Sequence, residues 1–245
     1  MNQASWIIKE FATLPSTQDK AKELALSSDF KNTTFAVIAS AQTSGRGRHG
    51  NHWVSPAGNL YATLRLPFSE DNDKAGHYVF LTSLALCEVM RAGLINERAE
   101  KIKIKWPNDL LFEEAKLSGI LLETELKGAQ ITDIFIGMGV NLAIAPEFAM
   151  DLLSLGYGEI SPKDFLNRFL VSFEKYKALY EEKGFAEIKA LWLVRAKGIG
   201  QSIKVRGAQD TKYGVFDGLD DDGALILRLD NGETQRIRAG EVHLQ

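Results

Sequence analysis

The chain has 245 residues, 45% hydrophobic and 25% charged, with a formal net charge of −3. That length buries a full core and leaves room for a small second domain, while the slightly acidic balance excludes a general nucleic-acid binder, which is basic overall. Cys87 is the only cysteine, so an internal disulfide and a thiolate metal cluster within one chain are both excluded.

Residues 1–6 carry no basic segment leading into an apolar run, so no secretory leader is expected there, and a cytoplasmic location follows. A helix entry stands at Ser16. Its hydroxyl can cap, Asp19 sits three residues on, and Ala21, Leu24 and Ala25 keep helical spacing. Residues 34–42 read as a strand, and 59–66 as a half-buried strand with Leu60, Ala62, Leu64 and Leu66 on one face. Between them lies Gly45-Arg46-Gly47-Arg48-His49-Gly50, with Trp53 just beyond. Glycine lets backbone N–H groups come close to a ligand, and the arginine fork suits carboxylate and phosphate. This loop predicts an enzyme that handles an anionic small molecule.

Residues 74–93 read as a buried helix. Their most apolar part, 78–90, is interrupted by Thr82, Ser83 and Glu88 and is too short to span a bilayer. Residues 101–106 alternate with period two, isoleucines inward and lysines outward, until Pro107 ends the strand. Residues 116–125 and 131–144 are two further strands joined by a turn at Lys127-Gly128-Ala129. Ser161-Pro162-Lys163-Asp164 opens a long helix with capping residue, first-turn proline and favourable acid in place. Phe165, Phe169, Phe173, Tyr176 and Tyr180 form one stripe for the core, and a second helix covers 185–194. From Gly198 the segments shorten to 202–206, 213–219, 224–229 and 234–237, with Asp-Gly and Asn-Gly turns between them. They read as a small antiparallel barrel, giving domains 1–197 and 198–245. The four histidines, at 49, 52, 77 and 243, show no metal-ligand spacing, so no metal site of protein ligands alone is expected.

Four polar clusters fall at strand ends or in loops, where sites are usually built: Ser16-Thr17-Gln18; Gln42 to Gly50 with Trp53; Lys105-Trp106-Pro107-Asn108-Asp109; and Lys116-Leu117-Ser118-Gly119-Ile120-Leu121. A fifth, Gly137-Met138-Gly139-Val140-Asn141, lies inside an apolar strand, where a buried Asn needs partners. With these motifs in this order, the chain resembles the biotin–protein ligase family from about residue 10 onward. The resemblance implies an α+β fold: a mixed, mainly antiparallel sheet with helices of the class II synthetase-like kind, then a Src-homology-3-like barrel. It implies an ATP-dependent ligase acting in two steps. Biotin and Mg-ATP give biotinyl-5′-AMP and pyrophosphate, and a lysine of the biotin carboxyl carrier domain of acetyl-CoA carboxylase then takes the biotin and releases AMP. Because the first motif begins at Ser16, the short monofunctional type without an N-terminal DNA-binding domain is expected.

The resemblance also implies roles for single residues. Lys116 and Arg48 are the catalytic pair, Lys116 standing between the biotin carboxylate and the α-phosphate, where it offsets their repulsion. Ser16, Thr17, Gln18, Gln42, Arg46 and Gly47 join them around biotin. Gln18 replaces the usual Asn and is one methylene longer. Arg46, Trp53, Asn108, Asp109, Lys116 and Asn141 surround the nucleotide. The glycine-rich loop is expected to order over the intermediate and exclude water. ATP, Mg2+, biotin and the carrier domain are the implied ligands and partners. Neither DNA nor membrane is expected as a partner, and the choice between monomer and homodimer stays open. Lipoate–protein ligases and octanoyltransferases share the catalytic fold; the GRGRHG and KWPND pair favours biotin.

Overall fold

The computed structural model describes residues 6–207 and 210–244. The first five residues, most of the stretch read above for a leader, lie outside the described residues, as do positions 208, 209 and 245 of the second domain.

Seven strands make the larger sheet: β1 (Ile7–Leu14), β2 (Phe35–Gln42), β3 (Leu60–Pro67), β4 (Ile102–Lys105), β5 (Asp109–Phe112), β6 (Ala115–Lys127) and β7 (Gln130–Val140). Their order is β1-β2-β3-β7-β6-β5-β4, with only β1 and β2 parallel, so the sheet is mixed and mainly antiparallel. Period-two alternation sends β2 side chains to two cores. Ala36 and Ile38 join the large cluster, whereas Phe35, Val37 and Ala39 pack with Leu14, Ala21 and Phe135 under α1 (Thr17–Ala25). The large cluster is built with α2 (His77–Ala92), α4 (Pro162–Lys183) and α5 (Phe185–Arg195). Phe165, Phe169 and Phe173 are fully buried in it, so the aromatic stripe is core packing.

Strand β3 departs from the expected half-buried pattern. Its second face, Tyr61, Thr63 and Arg65, is buried as well, because α1 closes over it. Arg65 pairs there with Asp133 and donates to Thr33 O at 2.7 Å. Strand β7 stops at Val140, short of the expected 144, because Asn59 Oδ1 accepts from the N–H groups of Leu142, Ala143 and Ile144 at 2.9, 3.1 and 3.2 Å. Those three donors are thereby lost to the ladder. The expected 74–93 helix begins as a 3-10 turn at Asn72–Gly76 and becomes α-helical from His77. A short α3 (Asn96–Glu100) leads into β4.

The second sheet holds β8 (Ser202–Arg206), β9 (Thr211–Leu219), β10 (Leu225–Arg228), β11 (Thr234–Ile237) and β12 (Glu241–Leu244), all antiparallel in the order β11-β10-β9-β8-β12. It is the small Src-homology-3-like unit. Its Asp220–Gly223 turn docks on the large sheet's helices and the Trp106 turn. Trp106 Nε1 donates to Gly223 O at 3.1 Å, and Lys189 pairs with Asp221 at 2.8 Å. Gly223 has φ +80°, and a Cβ there would lie 2.5 Å from the Phe80 ring, so the turn both bends and fits as glycine. Among the described residues no helix is long and apolar enough to cross a membrane.

Candidate active site

Segments far apart in sequence meet at one cavity of about 280 Å³. The N-terminus of α1, the 42–53 loop, the 105–109 turn, the start of β6 and the end of β7 line it, and Gly240 and Glu241 reach in from the barrel.

The α1 end and the loop form one bonded unit. Ser16 caps the helix by accepting from Gln18 N at 3.2 Å. Thr17 donates to Gln42 Oε1 through its N–H at 2.8 Å and its hydroxyl at 3.1 Å. Gln42 Nε2 donates to Ser55 Oγ at 3.0 Å, and Ser55 Oγ donates to Trp53 O at 2.8 Å. Gly45 is enclosed by this chain of bonds: a Cβ there would lie 2.5 Å from Ser55 Oγ. The loop itself is folded, with Gly47 N donating to Asn51 O at 2.7 Å and Trp53 N to Gly45 O at 2.9 Å.

Two glycines make room for Trp53. A Cβ on Gly139 would lie 2.5 Å from Trp53 Nε1, and one on Gly119 would lie 3.1 Å from the indole ring. The indole thus rests on β6 and β7, with Lys116 Nζ 5.3 Å from its ring centroid. Trp53 Nε1 is buried with no partner among the described residues, a donor that a ligand can satisfy.

The cations gather around Asn108 and Asp109. Lys116 Nζ lies 2.8 Å from Asp109 Oδ1. Arg48 Nη1 donates to Asn108 Oδ1 at 2.9 Å, and Asn108 Nδ2 donates to Ile120 O at 2.7 Å, so β6 backbone fixes the guanidinium. Burial pushes Arg48 below its ordinary pKa, while the carboxylates of Asp109 and Glu241 oppose that shift. Lys105 adds a third cation, 4.0 Å from Glu241. Three half-buried cations against two carboxylates leave a positive cavity, suited to holding two anions side by side.

The cavity gathers most of the expected residues, and three of the expected residues have other partners in the structure. Asn141 is 4% exposed and does not line the cavity; its amide donates to Lys116 O at 3.3 Å and Met150 O at 3.2 Å, so it braces the lysine's backbone. Arg46 lines the cavity, but its charge is matched outside it by Asp19 at 2.7 Å and Glu123 at 3.3 Å. Gln18 lines the floor with both amide N–H groups already engaged by Phe135 O and Leu121 O. Sequence reasoning missed Thr63, Ser55, Phe148 and Glu241. Thr63 carried a signal, a polar residue alternating against the leucines of β3. Glu241 carried none, because β12 was not foreseen.

A mixed sheet that presents a helix N-terminus, a glycine-arginine loop and a paired lysine to one cavity defines an enzyme that brings two anions together. The profile of the Biotin/lipoate A/B protein ligase family matches residues 10–141, and that of the Biotin protein ligase C terminal domain matches 198–244. The chain belongs to the biotin/lipoate A/B protein ligase family. It is 39% identical over 216 residues to a biotin–[acetyl-CoA-carboxylase] ligase of Paracoccus denitrificans, covering 84% of this chain and 88% of that one. It is 33% identical over 240 residues to the bifunctional ligase/repressor BirA of Bacillus subtilis, covering 94% of this chain and 72% of that protein. Among solved structures, the biotin protein ligase of Aquifex aeolicus in complex with biotin and ATP superposes with a TM-score of 0.79 at 26% identity, covering 98% of each chain.

Proposed function

We propose that this chain is an ATP-dependent biotin–protein ligase, which forms biotinyl-5′-AMP and passes the biotin to one lysine of a biotin carboxyl carrier domain of acetyl-CoA carboxylase. The observation that carries this reading is the meeting of Lys116, Arg48 and the capped start of α1 in one cavity beneath the glycine-arginine loop.

In the first step a biotin carboxylate oxygen attacks the α-phosphorus of ATP, and pyrophosphate leaves. Lys116, on β6 beside both the indole and Asp109, offsets the repulsion between the two anions as charge moves onto the phosphoryl oxygens. The hydroxyls of Ser16 and Thr17 and the neighbouring Gln42 face the ureido ring. Arg48, held by Asn108, retains the adenylate. Trp53 and Asn108 face the nucleotide. In the second step the carrier amine attacks the acyl carbon, forms the amide, loses a proton and releases AMP. Among the described residues no three acidic, His or Cys side chains gather into a metal cage. Magnesium brought with ATP would meet Asp109 as a cavity carboxylate able to hold it, and would supply charge neutralisation for the triphosphate.

A wider depression of about 650 Å³ adjoins the cavity across Arg48 and Asn108, between α2 and the barrel's Asp222–Ala224 turn, and offers the carrier lysine a route inward. We set the domain division between 197 and 198, supported by the separate sheets and the separate profile matches. The single, buried thiol of Cys87 suits the reducing cytoplasm. Biotin-dependent exchange of pyrophosphate into ATP tests the first step directly. The wild-type chain should catalyse it and Lys116→Ala should not; exchange that ignores biotin would contradict the reading.

A further inference from the structure

Gln18 is 3% exposed and sits where the floor of the cavity meets the first turn of α1. Its side chain reaches three strands. Nε2 donates to Phe135 O of β7 at 3.2 Å and Leu121 O of β6 at 3.4 Å, and Oε1 accepts from Thr63 Oγ1 of β3 at 3.0 Å. A primary amide has only two N–H donors, so neither is left for a ligand. Thr63 Oγ1 also lies 2.9 Å from Thr17 Oγ1, which can donate to it while the Thr17 N–H holds Gln42 Oε1 at 2.8 Å. One connected network therefore runs from the sheet through Gln18 and Thr63 to the groups at the cavity surface. Gly137 leaves the space for it: a Cβ there would lie 2.7 Å from Gln18 Oε1.

We propose that Gln18 is a positioning residue for the ring-binding end of the cavity. Its amide ties the start of α1 to β3, β6 and β7, which fixes the direction of the Thr17 hydroxyl and the depth of the floor. It donates nothing to the ligand. This inference rests on the biotin reading above, and it concerns biotin affinity alone, because the network of Leu121, Phe135, Thr63 and Thr17 includes none of the residues assigned to the nucleotide.

The test compares wild type with Gln18→Met, Gln18→Asn, Thr63→Val and the Gln18→Met/Thr63→Val double variant, each in the full chain. Biotin Kd is measured by calorimetry, kcat and the KM for ATP by pyrophosphate exchange, and Tm by calorimetric scanning. Methionine keeps the volume and removes both donors. Asparagine keeps the donors but falls one methylene short of the carbonyls. Each single variant should weaken biotin binding roughly tenfold, as expected for one broken buried hydrogen-bond network. The KM for ATP and kcat at saturating biotin should hold. The double variant should bind biotin no worse than the weaker single one, because both changes cut the same network. Wild-type affinity in Gln18→Asn, or losses that multiply in the double variant, would overturn the proposal. So would a parallel fall in biotin affinity, ATP use and Tm, which would mark a residue that only holds the fold. A wild-type chain that binds no biotin would overturn the underlying reading and this proposal with it. Wild-type binding with every variant unchanged would overturn this proposal alone.

Discussion

Lys116 stands between an indole and a carboxylate, with a third of its side chain open to the cavity. An ion pair that exposed is worth less than about 1 kcal/mol to folding. A cation aimed at developing phosphoryl charge is worth about 10²–10³ in rate. The comparison predicts that Lys116→Ala loses adenylate formation by about that factor while Tm moves by no more than a few degrees. Measuring biotinyl-5′-AMP yield beside a calorimetric scan checks it, and equal losses of both would remove Lys116 from the chemistry. At this scale the sequence was informative where a residue's type limits its use. A lysine or arginine beside glycines announces anion handling. The side chain's actual partner was not legible, because it depends on what lies across a fold. Asn141 faces Lys116 O and Met150 O, and Arg46 faces Asp19 and Glu123, each brought near by strand pairing or helix docking rather than by sequence distance.

The element that closes the site is the loop after β2, and its shape depends on Gly45. A Cβ at that position enters the space of Ser55 Oγ and Gln42 Nε2. Gly45→Ala should therefore shift the loop and separate Gln42 from Thr17. We expect biotin affinity to fall at least tenfold, an overpacking effect of about 1–3 kcal/mol confined to the loop, with the far-ultraviolet circular dichroism unchanged. Titration calorimetry reads the loss, and wild-type affinity would show the loop yields without cost. The elements the sequence hid share a physical cause. Strand β1 lies at the sheet edge with an irregular burial pattern, so no clean alternation marks it. Strand β5 buries its last three residues in a row, so it shows no alternation. The longer elements were legible because capping and periodicity agreed: Ser161 accepts from Asp164 N at 3.0 Å, as its position before Pro162 requires.

At the scale of the whole molecule, the Asp220–Gly223 turn is one seat of the barrel on the catalytic unit. Gly223→Ala would press a Cβ against Phe80 and strain a backbone at φ +80°. It should loosen the Trp106 contact and slow ligation, because Asn108 and Asp109 follow directly on that tryptophan. A ligation assay with a scan of Tm checks this, and full activity would show the seat does not position the site. His77 lies in the same region, buried, stacked on Phe185 and bonded to Tyr180 at 3.0 Å. Burial lowers its pKa, against the Asp221 carbonyl and the carboxylates of Asp73, Glu70 and Asp222. A histidine with a lowered folded pKa gives full stability above the unfolded value of about 6.5, lost as pH falls through it toward the folded value. Tm should decline as pH falls below about 6.5, and His77→Phe should flatten that decline. An unchanged slope would place the titrating group elsewhere. The central claim meets its most direct test in the mass of a biotin carboxyl carrier domain after incubation with the chain, Mg-ATP and biotin. The carrier should gain the mass of one biotin in an amide bond, and should gain nothing when Lys116→Ala replaces the wild type. A carrier left unmodified by the wild type, or an acceptor domain loaded with lipoate in preference to biotin, would contradict it.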